Sequence, residues 1–188
     1  MLKKYWDDPL YRFLLKAVLL YILYYLIYEL WLHPQANVDL IIIRNLEDLS
    51  SFVLTSMGYS LISESSDVFI RTIGIDGTNG LWIGDPCNGL TLFALFTGFV
   101  IAFPGPWKKK LWFIPLGLIA IHLLNVFRIL ALAMIIYYFP NPEVLDFNHT
   151  YTFTLLVYSF VFLLWYIWAN KLSGITLKKS ESNAEQDA

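Results

Sequence analysis

The stretch LWFIPLGLIAIHLLNVFRILALAMIIYYF, residues 111–139, decides the fold because it is apolar almost throughout and carries a single charged side chain, Arg128. A helix needs roughly 20 apolar residues to cross the hydrocarbon core of a membrane, which is about 30 Å thick. This stretch is longer than that. It predicts a membrane helix that tilts, bends near Pro115 or continues beyond the lipid on one side.

Three further apolar stretches, residues 13–32, 89–103 and 151–169, accompany it. The first and last are long enough to span a membrane, whereas the second must borrow flanking residues or lie in thinned lipid. The chain of 188 residues is 57% hydrophobic and 18% aromatic, more than one soluble core can hide. We therefore predict an all-α integral membrane protein with about four transmembrane helices.

The first apolar stretch follows basic residues, as a signal peptide does. It is longer than the apolar core of a signal peptide, however, and ends at His33 and Pro34 without a small-residue cleavage pattern. We interpret it as a membrane anchor.

Lysine and arginine residues predict the orientation. With four crossings their three clusters fall on one side, which the positive-inside bias assigns to the cytoplasm. We expect a multi-pass membrane protein with both termini cytoplasmic. The segment 33–85 is acidic and falls outside, where no basic patch remains to bind nucleic acid. The three clusters are Lys3, Lys4, Arg12 and Lys16; Lys108, Lys109 and Lys110; and Lys171, Lys178 and Lys179.

The chain is predicted to form one membrane-embedded domain, residues 1–170, followed by a cytoplasmic tail, residues 171–188, that is disordered at its end. Residues 33–85 form a small outer cap. Residues 67–75 and 80–83 flank a Gly-containing loop and predict a short β-hairpin. Before them, residues 40–57 predict an amphipathic helix that lies on the outer leaflet or packs over the bundle. Its apolar face is Ile42, Leu46, Leu49 and Val53.

Cys87 is the only cysteine, so neither an intramolecular disulfide nor a multi-thiolate metal site can form, and we expect no metal or cofactor. Asp85 suits a helix N-cap and Pro86 the first helical position, which predicts Cys87 in the first turn of the second membrane helix. The free amides and the dipole there favour a thiolate and could hold an oxyanion. The alternative is an inert apolar filler.

Placing the charged side chain of Arg128 within lipid costs free energy unless it faces the protein interior, reaches the interface or finds a partner. The helical rise places it roughly 25 Å from Leu111, near the outer interface. An arginine that merely reaches the interface is the alternative. Asn125, three residues earlier, could fix the guanidinium or a substrate carbonyl.

His149 precedes the fourth apolar stretch and could deprotonate a thiol and later protonate a leaving amine. The alternative is an ordinary polar residue at a helix start. Two other histidines compete with it: His122, roughly 9 Å deeper than Arg128 along the same helix, and His33, which is also outside. The candidates for orienting His149 are Asn125, Asp146 and Asp85.

The motifs Cys87-Asn88-Gly89-Leu90 and Asn125-Val126-Phe127-Arg128-Ile129, followed by His149, resemble those of the exosortase and archaeosortase family. In that family the corresponding cysteine, arginine and histidine are catalytic. The resemblance covers residues 85–168 and marks Asn88, Gly89 and Asn125 as supporting residues. Two departures are the shorter chain and Asn88, where serine or alanine is common.

The resemblance implies a cysteine protease or transpeptidase of the hydrolase class that cleaves C-terminal sorting signals through a Cys87 thioester. Its partners would be membrane-anchored exported proteins ending in a short motif, a hydrophobic helix and a basic cluster. The product would pass to water or to a surface acceptor.

Two other functions stay open. A non-catalytic membrane assembly factor for export or exopolysaccharide machinery would use Arg128 for helix pairing, and Cys87→Ser would leave it active. A small transporter subunit would use Arg128 and His122 in a solute path, so His122→Ala would matter more than His149→Ala.

Overall fold

The computed structural model describes residues 9–35, 37–62 and 71–174. The main helices are α1 (Pro9–Ile27), α2 (Asn37–Ser56), α3 (Leu90–Ala102), α4 (Trp107–Tyr138), α5 (Pro142–Phe147) and α6 (Phe153–Ile167). Strands β1 (Arg71–Ile73) and β2 (Leu81–Ile83) form an antiparallel pair. Shorter segments are the π-helices Tyr28–Leu32, Asn148–Thr152 and Trp168–Leu172, the turn of α-helix His33–Gln35, and the 3-10 turn Asp85–Cys87.

Three of these helical stretches are long and apolar enough to cross a membrane: Leu10–Gln35, Trp107–Tyr138 and Pro142–Leu172. The fourth predicted crossing is α3, an apolar helix of 13 residues, which is shorter than a full span requires. α4 runs unbroken through Pro115 for 32 residues, which is longer than the roughly 20 residues that one crossing needs. The prediction of an all-α integral membrane protein is confirmed.

One end of the bundle is basic, and we call it the basic end. Lys110 is only 3% exposed, and its Nζ donates to the carbonyl oxygens of Ile101 and Phe103, each at 2.8 Å. Lys109 Nζ donates to the Leu172 carbonyl at 3.1 Å. A lysine near a helix C-terminus satisfies carbonyls that lack a partner within the helix. These contacts join the end of α3, the start of α4 and the end of the last helix.

A core of large side chains holds the basic end together. Gly117 lets the Phe96 ring of α3 pack directly against the backbone of α4, because a Cβ at this position would lie 2.2 Å from the ring. The members are aromatic and aliphatic, and the indole Nε1 of Trp168 is buried among them without a hydrogen-bond partner in the described part of the chain. They are Phe96, Val100, Phe113, Ile121, Val161, Leu164 and Trp168.

The opposite end, which we call the cap end, carries α2 and the β-hairpin packed on the distal half of α4. Gly80 adopts φ +71° in the hairpin loop, and a Cβ there would lie 2.5 Å from Ile62. The hairpin and the helix before it agree with the prediction, although residues 67–70 lie outside the described residues. The core of this end is Ile43, Leu46, Leu54, Ile73, Ile75, Leu81, Ile83, Cys87, Val126, Ile129, Leu132, Ala133, Ile136 and Phe153.

The buried face of α2 differs from the predicted one. Of the four apolar residues predicted to face inward only Leu46 is fully buried, and Ile42 and Leu49 pack at its edges. The buried face includes polar residues, of which Asp39 accepts hydrogen bonds from Asn88 and Tyr28, while the Ser50 hydroxyl is buried without a partner among the described residues. Its buried residues are Asp39, Ile43, Leu46, Glu47, Ser50 and Leu54.

The predicted tail from residue 175 onward lies outside the described residues. So do Lys3, Lys4, Lys178 and Lys179 of the basic clusters.

Candidate active site

Cys87 lies in a loop, residues 85–89, that we call the cysteine loop. Its backbone N–H donates to the Gly84 carbonyl at 2.9 Å, and the Asn88 N–H donates to the Asp85 carbonyl at 3.2 Å. Gly89 has φ +81°, and α3 begins only at Leu90. The prediction that Cys87 lies in the first turn of the membrane helix is therefore wrong, because the left-handed glycine interrupts the helical path. The Cys87 and Asn88 amides are engaged and not free to hold an oxyanion.

Asn88 fixes the end of this loop with both ends of its side-chain amide. Its Oδ1 accepts from the Leu90 N–H at 2.8 Å, which satisfies a donor at the start of α3. Its Nδ2 donates to Asp39 Oδ1, and the Tyr28 hydroxyl donates to the same oxygen at 2.9 Å. Asn88 and Asp39 are 2% and 1% exposed. The loop is thereby tied to α2 and to the first membrane helix.

Asn125 holds the loop from α4. Its Nδ2 donates to the Cys87 carbonyl at 2.6 Å, and the side chain is buried. The structure thus gives Asn125 a different partner from the guanidinium or substrate carbonyl expected for it. A Cβ on Gly89 would lie 3.3 Å from this Nδ2, so the close approach of Asn125 also depends on the glycine.

His149 lies in the π-helical segment Asn148–Thr152, within the continuous stretch Pro142–Leu172. The prediction placed it before the fourth helix, but the helix extends further toward the N-terminus and includes it. A π-helical turn shifts side-chain directions relative to an α-helix and is frequent at functional sites. The ring Nε2 lies 3.7 Å from Cys87 Sγ and 3.1 Å from Arg128 Nη2.

One ring nitrogen of His149 therefore meets both the thiol and the guanidinium. A guanidinium can only donate hydrogen bonds, so Nε2 accepts from Arg128 and carries no proton in this arrangement. The sulfur of Cys87 lies within reach of the same nitrogen. Cys87 is 9% exposed, and the other two side chains are partly buried. Such an arrangement can transfer a proton from sulfur to nitrogen.

A pocket of about 480 Å³ opens beside these groups, between the start of α3 and the first turns of α6. Its volume is typical of sites that bind small molecules or a few residues of a peptide. Its lining also includes hydroxyl-bearing and apolar side chains. The lining residues are Asp85, Cys87, Asn88, Gly89, Thr91, Leu92, Asn125, Arg128, His149, Thr150, Thr154, Val157 and Tyr158.

The two competing histidines have other partners. His122 Nε2 lies 2.7 Å from Asn45 Oδ1 and links α4 to α2. His33 Nε2 lies 3.3 Å from Asp85 Oδ2 at the edge of the pocket.

Each of the three residues proposed to orient His149 has a different residue as its hydrogen-bond partner. Asp85 pairs with His33, Asn125 binds the Cys87 carbonyl, and Asp146 Oδ1 lies 3.4 Å from the Thr150 hydroxyl. Within residues 9–35, 37–62 and 71–174 no group of three or more His, Cys, Asp or Glu side chains is placed to hold a metal ion.

Sequence reasoning missed Asp39 and Tyr28. The signal for Asp39 is its spacing, because it precedes Ile43 by four residues and Leu46 by seven, on one face of α2. A carboxylate on the apolar face of an amphipathic helix indicates a buried polar partner.

The fold and the site together define a membrane protein in which one histidine contacts both a cysteine and an arginine. The sequence model described as transmembrane exosortase (Exosortase_EpsH) matches residues 4–173. The chain belongs to the transmembrane exosortase family. Searches of curated proteins and of solved structures gave no significant match.

Proposed function

We propose that the protein is a membrane cysteine protease or transpeptidase that cleaves C-terminal sorting signals of exported proteins. The observation that carries this proposal is the contact of His149 Nε2 with both Cys87 Sγ and Arg128 Nη2 beside an open pocket. A nucleophile within reach of a base is the arrangement that covalent catalysis requires. Family membership supports the same class of chemistry.

In the proposed reaction the thiol proton passes to His149 Nε2 as the sulfur attacks the peptide carbonyl carbon. The C–N bond then breaks, the proton passes from Nε2 to the leaving amine, and a thioester on Cys87 remains. Water or an acceptor amine attacks the thioester and gives its proton to Nε2. The proton returns to the sulfur as the acyl group leaves.

Arg128 would stabilise the oxyanion. In the resting arrangement its Nη2 donates a hydrogen bond to the lone pair of His149 Nε2. Once Nε2 binds the thiol proton it can no longer accept, and the guanidinium is released when the carbonyl oxygen becomes negative. The amides of Cys87 and Asn88 are engaged, so we assign this role to the guanidinium of Arg128, which lines the pocket. A donor aimed at a developing oxyanion is worth roughly 10²–10³ in kcat.

The proposed substrates are membrane-anchored exported proteins with a C-terminal motif, a hydrophobic helix and a basic cluster. The pocket lies between α3 and α6, so such a helix would approach laterally through lipid and place its motif beside Cys87. The basic end would face the cytoplasm of the bacterial inner membrane, as the positive-inside bias predicts. The site would then open toward the exterior.

The test is co-expression with an exported protein of this type from the same genome, in cells lacking their own copy of the enzyme. Cys87→Ala, Cys87→Ser and His149→Ala should abolish removal of the signal, whereas His122→Ala should retain it. Hydroxylamine added to the membranes should release a hydroxamate of the substrate if a thioester forms. Trimming that survives Cys87→Ala would overturn the proposal and favour an assembly factor.

A separate test addresses orientation. A C-terminal epitope should be protected from protease added to intact spheroplasts and digested after the membrane is opened. Digestion in intact spheroplasts would contradict the proposed topology without bearing on the chemistry.

A further inference from the structure

We propose that Asp39 is a positioning residue of this site, one that holds Asn88 and thereby sets the cysteine loop for attack. The inference rests on the proposed function, since the geometry matters only if Cys87 reacts. Asp39 belongs to α2, in the cap, and lies 49 residues from Asn88 in sequence.

The surroundings of Asp39 are unusual for a carboxyl group. It is 1% exposed, and its Oδ1 accepts from both Asn88 Nδ2 and the Tyr28 hydroxyl. Its Oδ2 is buried without a hydrogen-bond partner among the described residues. Burying a carboxyl group without a full set of partners is costly, and a leucine would fill the space without that cost. The contribution of Asp39 is therefore the acceptor that it offers to two donors.

The effect reaches Cys87 through Asn88. With Nδ2 held by Asp39 and Oδ1 held by the Leu90 N–H, the Asn88 amide has one orientation. The Asn88 backbone N–H closes the turn by donating to Asp85. Cys87 lies within this turn, directly before Asn88. Its sulfur must stay within reach of His149. Loss of the Asp39 contact frees the end of the loop that fixes this distance.

A side-chain exchange tests the contact. Asn88→Asp places two carboxyl groups together and should lower kcat roughly tenfold or more, as coupled buried pairs do. Adding Asp39→Asn reverses the direction of the lost bond: an amide nitrogen in the place of Asp39 Oδ1 donates one hydrogen to Asp at position 88 and the other to the Tyr28 hydroxyl oxygen, while the new carboxylate accepts from the Leu90 N–H. The double variant should regain most of the lost kcat. Asp39→Asn alone keeps an acceptor oxygen for both donors and should lose less than Asn88→Asp.

Two further measurements separate positioning from stability. Cys87 is the only cysteine, so alkylation of the purified protein by iodoacetamide reports on this one thiol and on its contact with His149. Its rate should fall in Asn88→Asp and recover in the double variant. Asp39→Leu, which fills the space but offers no acceptor, leaves the buried Asn88 Nδ2 without its partner and should lower kcat even when the assay is run well below its unfolding temperature. Asp48→Asn, at an exposed position of α2, is the matched control and should behave as wild type.

The outcomes are distinct. If wild-type protein shows no Cys87-dependent cleavage, the proposed function fails, while recovery of alkylation in the double variant still supports the positioning role. If Asn88→Asp cleaves normally, if the double variant is no better than Asn88→Asp, or if Asp39→Leu keeps wild-type kcat, the inference about Asp39 is wrong. Should Asn88→Asp fail to fold, Asp39→Leu decides.

Discussion

The side-chain amide of Asn125 donates a 2.6 Å hydrogen bond to the main-chain carbonyl of Cys87, across 38 residues of sequence. Asn125→Asp should turn this contact into a repulsion between two oxygens. Leaving a buried acceptor without its donor costs about 1–3 kcal/mol. We expect a lower unfolding temperature in detergent and slower cleavage.

Asn170→Asp is the matched control for this substitution. Asn170 also donates to a carbonyl, that of Tyr166 at 3.1 Å, but at an exposed position of the basic end. It should have little effect on either measurement. Equal losses in the two variants would show that the Asn125 contact has no special role in holding the cysteine loop.

Gly89 gives a second prediction, because its φ of +81° and its closeness to Asn125 both exclude a side chain. Gly89→Ala should cost about 1–2 kcal/mol from the left-handed conformation alone, and its Cβ would press on the Asn125 amide. Gly98→Ala is the control, since a Cβ there meets nothing within 4 Å and alanine favours a helix. Thermal unfolding should separate the two variants, and a neutral Gly89→Ala would contradict the loop geometry.

How much of this could be predicted from sequence depends on the range of the interactions. The helices follow from apolar length, and the hairpin from its Gly-containing loop, because both signals are local. The break at Gly89 was missed, since Asp85 and Pro86 match an ordinary helix start equally well. The partner of Asp39 could not be predicted, because it is set by tertiary packing between α2 and a loop 49 residues away.

The candidate site likewise has features that the sequence predicts and features that only the structure reveals. Depth along a helix can be counted from the rise per residue, which placed Arg128 at the right level for a shared site with His149. The direction of a side chain around the helix depends on local winding. The π-helical turn at Asn148–Thr152 has no signal in the sequence, so the contact of one His149 nitrogen with two partners emerged only from the structure.

Lys110 gives a prediction on stability alone. It is 3% exposed and donates to the carbonyls of Ile101 and Phe103. Lys110→Met keeps much of the side-chain volume but removes both bonds, which should cost about 1–3 kcal/mol for the buried acceptors left unpaired. Lys108→Met, at an exposed position, removes the same charge without that cost. Thermal unfolding in detergent compares them, and equal stability would rule out the capping role of Lys110.

Arg128 gives the prediction that separates its own role from that of His149, the residue that contacts both Arg128 and Cys87. Arg128→Met removes the oxyanion donor but leaves the Nε2 lone pair of His149 free to accept the thiol proton. Cleavage should therefore fall by roughly 10²–10³, while the rate of Cys87 alkylation stays close to wild type. His149→Ala should lower both rates, because the base itself is lost. Arg128→Lys should recover only part of the cleavage, since an ammonium is a compact charge without the planar fork of a guanidinium.

Arg44→Met, at an exposed position of α2, serves as the control for loss of an arginine. If Arg128→Met alkylates as slowly as His149→Ala, the guanidinium acts on the thiol rather than on the oxyanion, and the proposed division of roles is wrong.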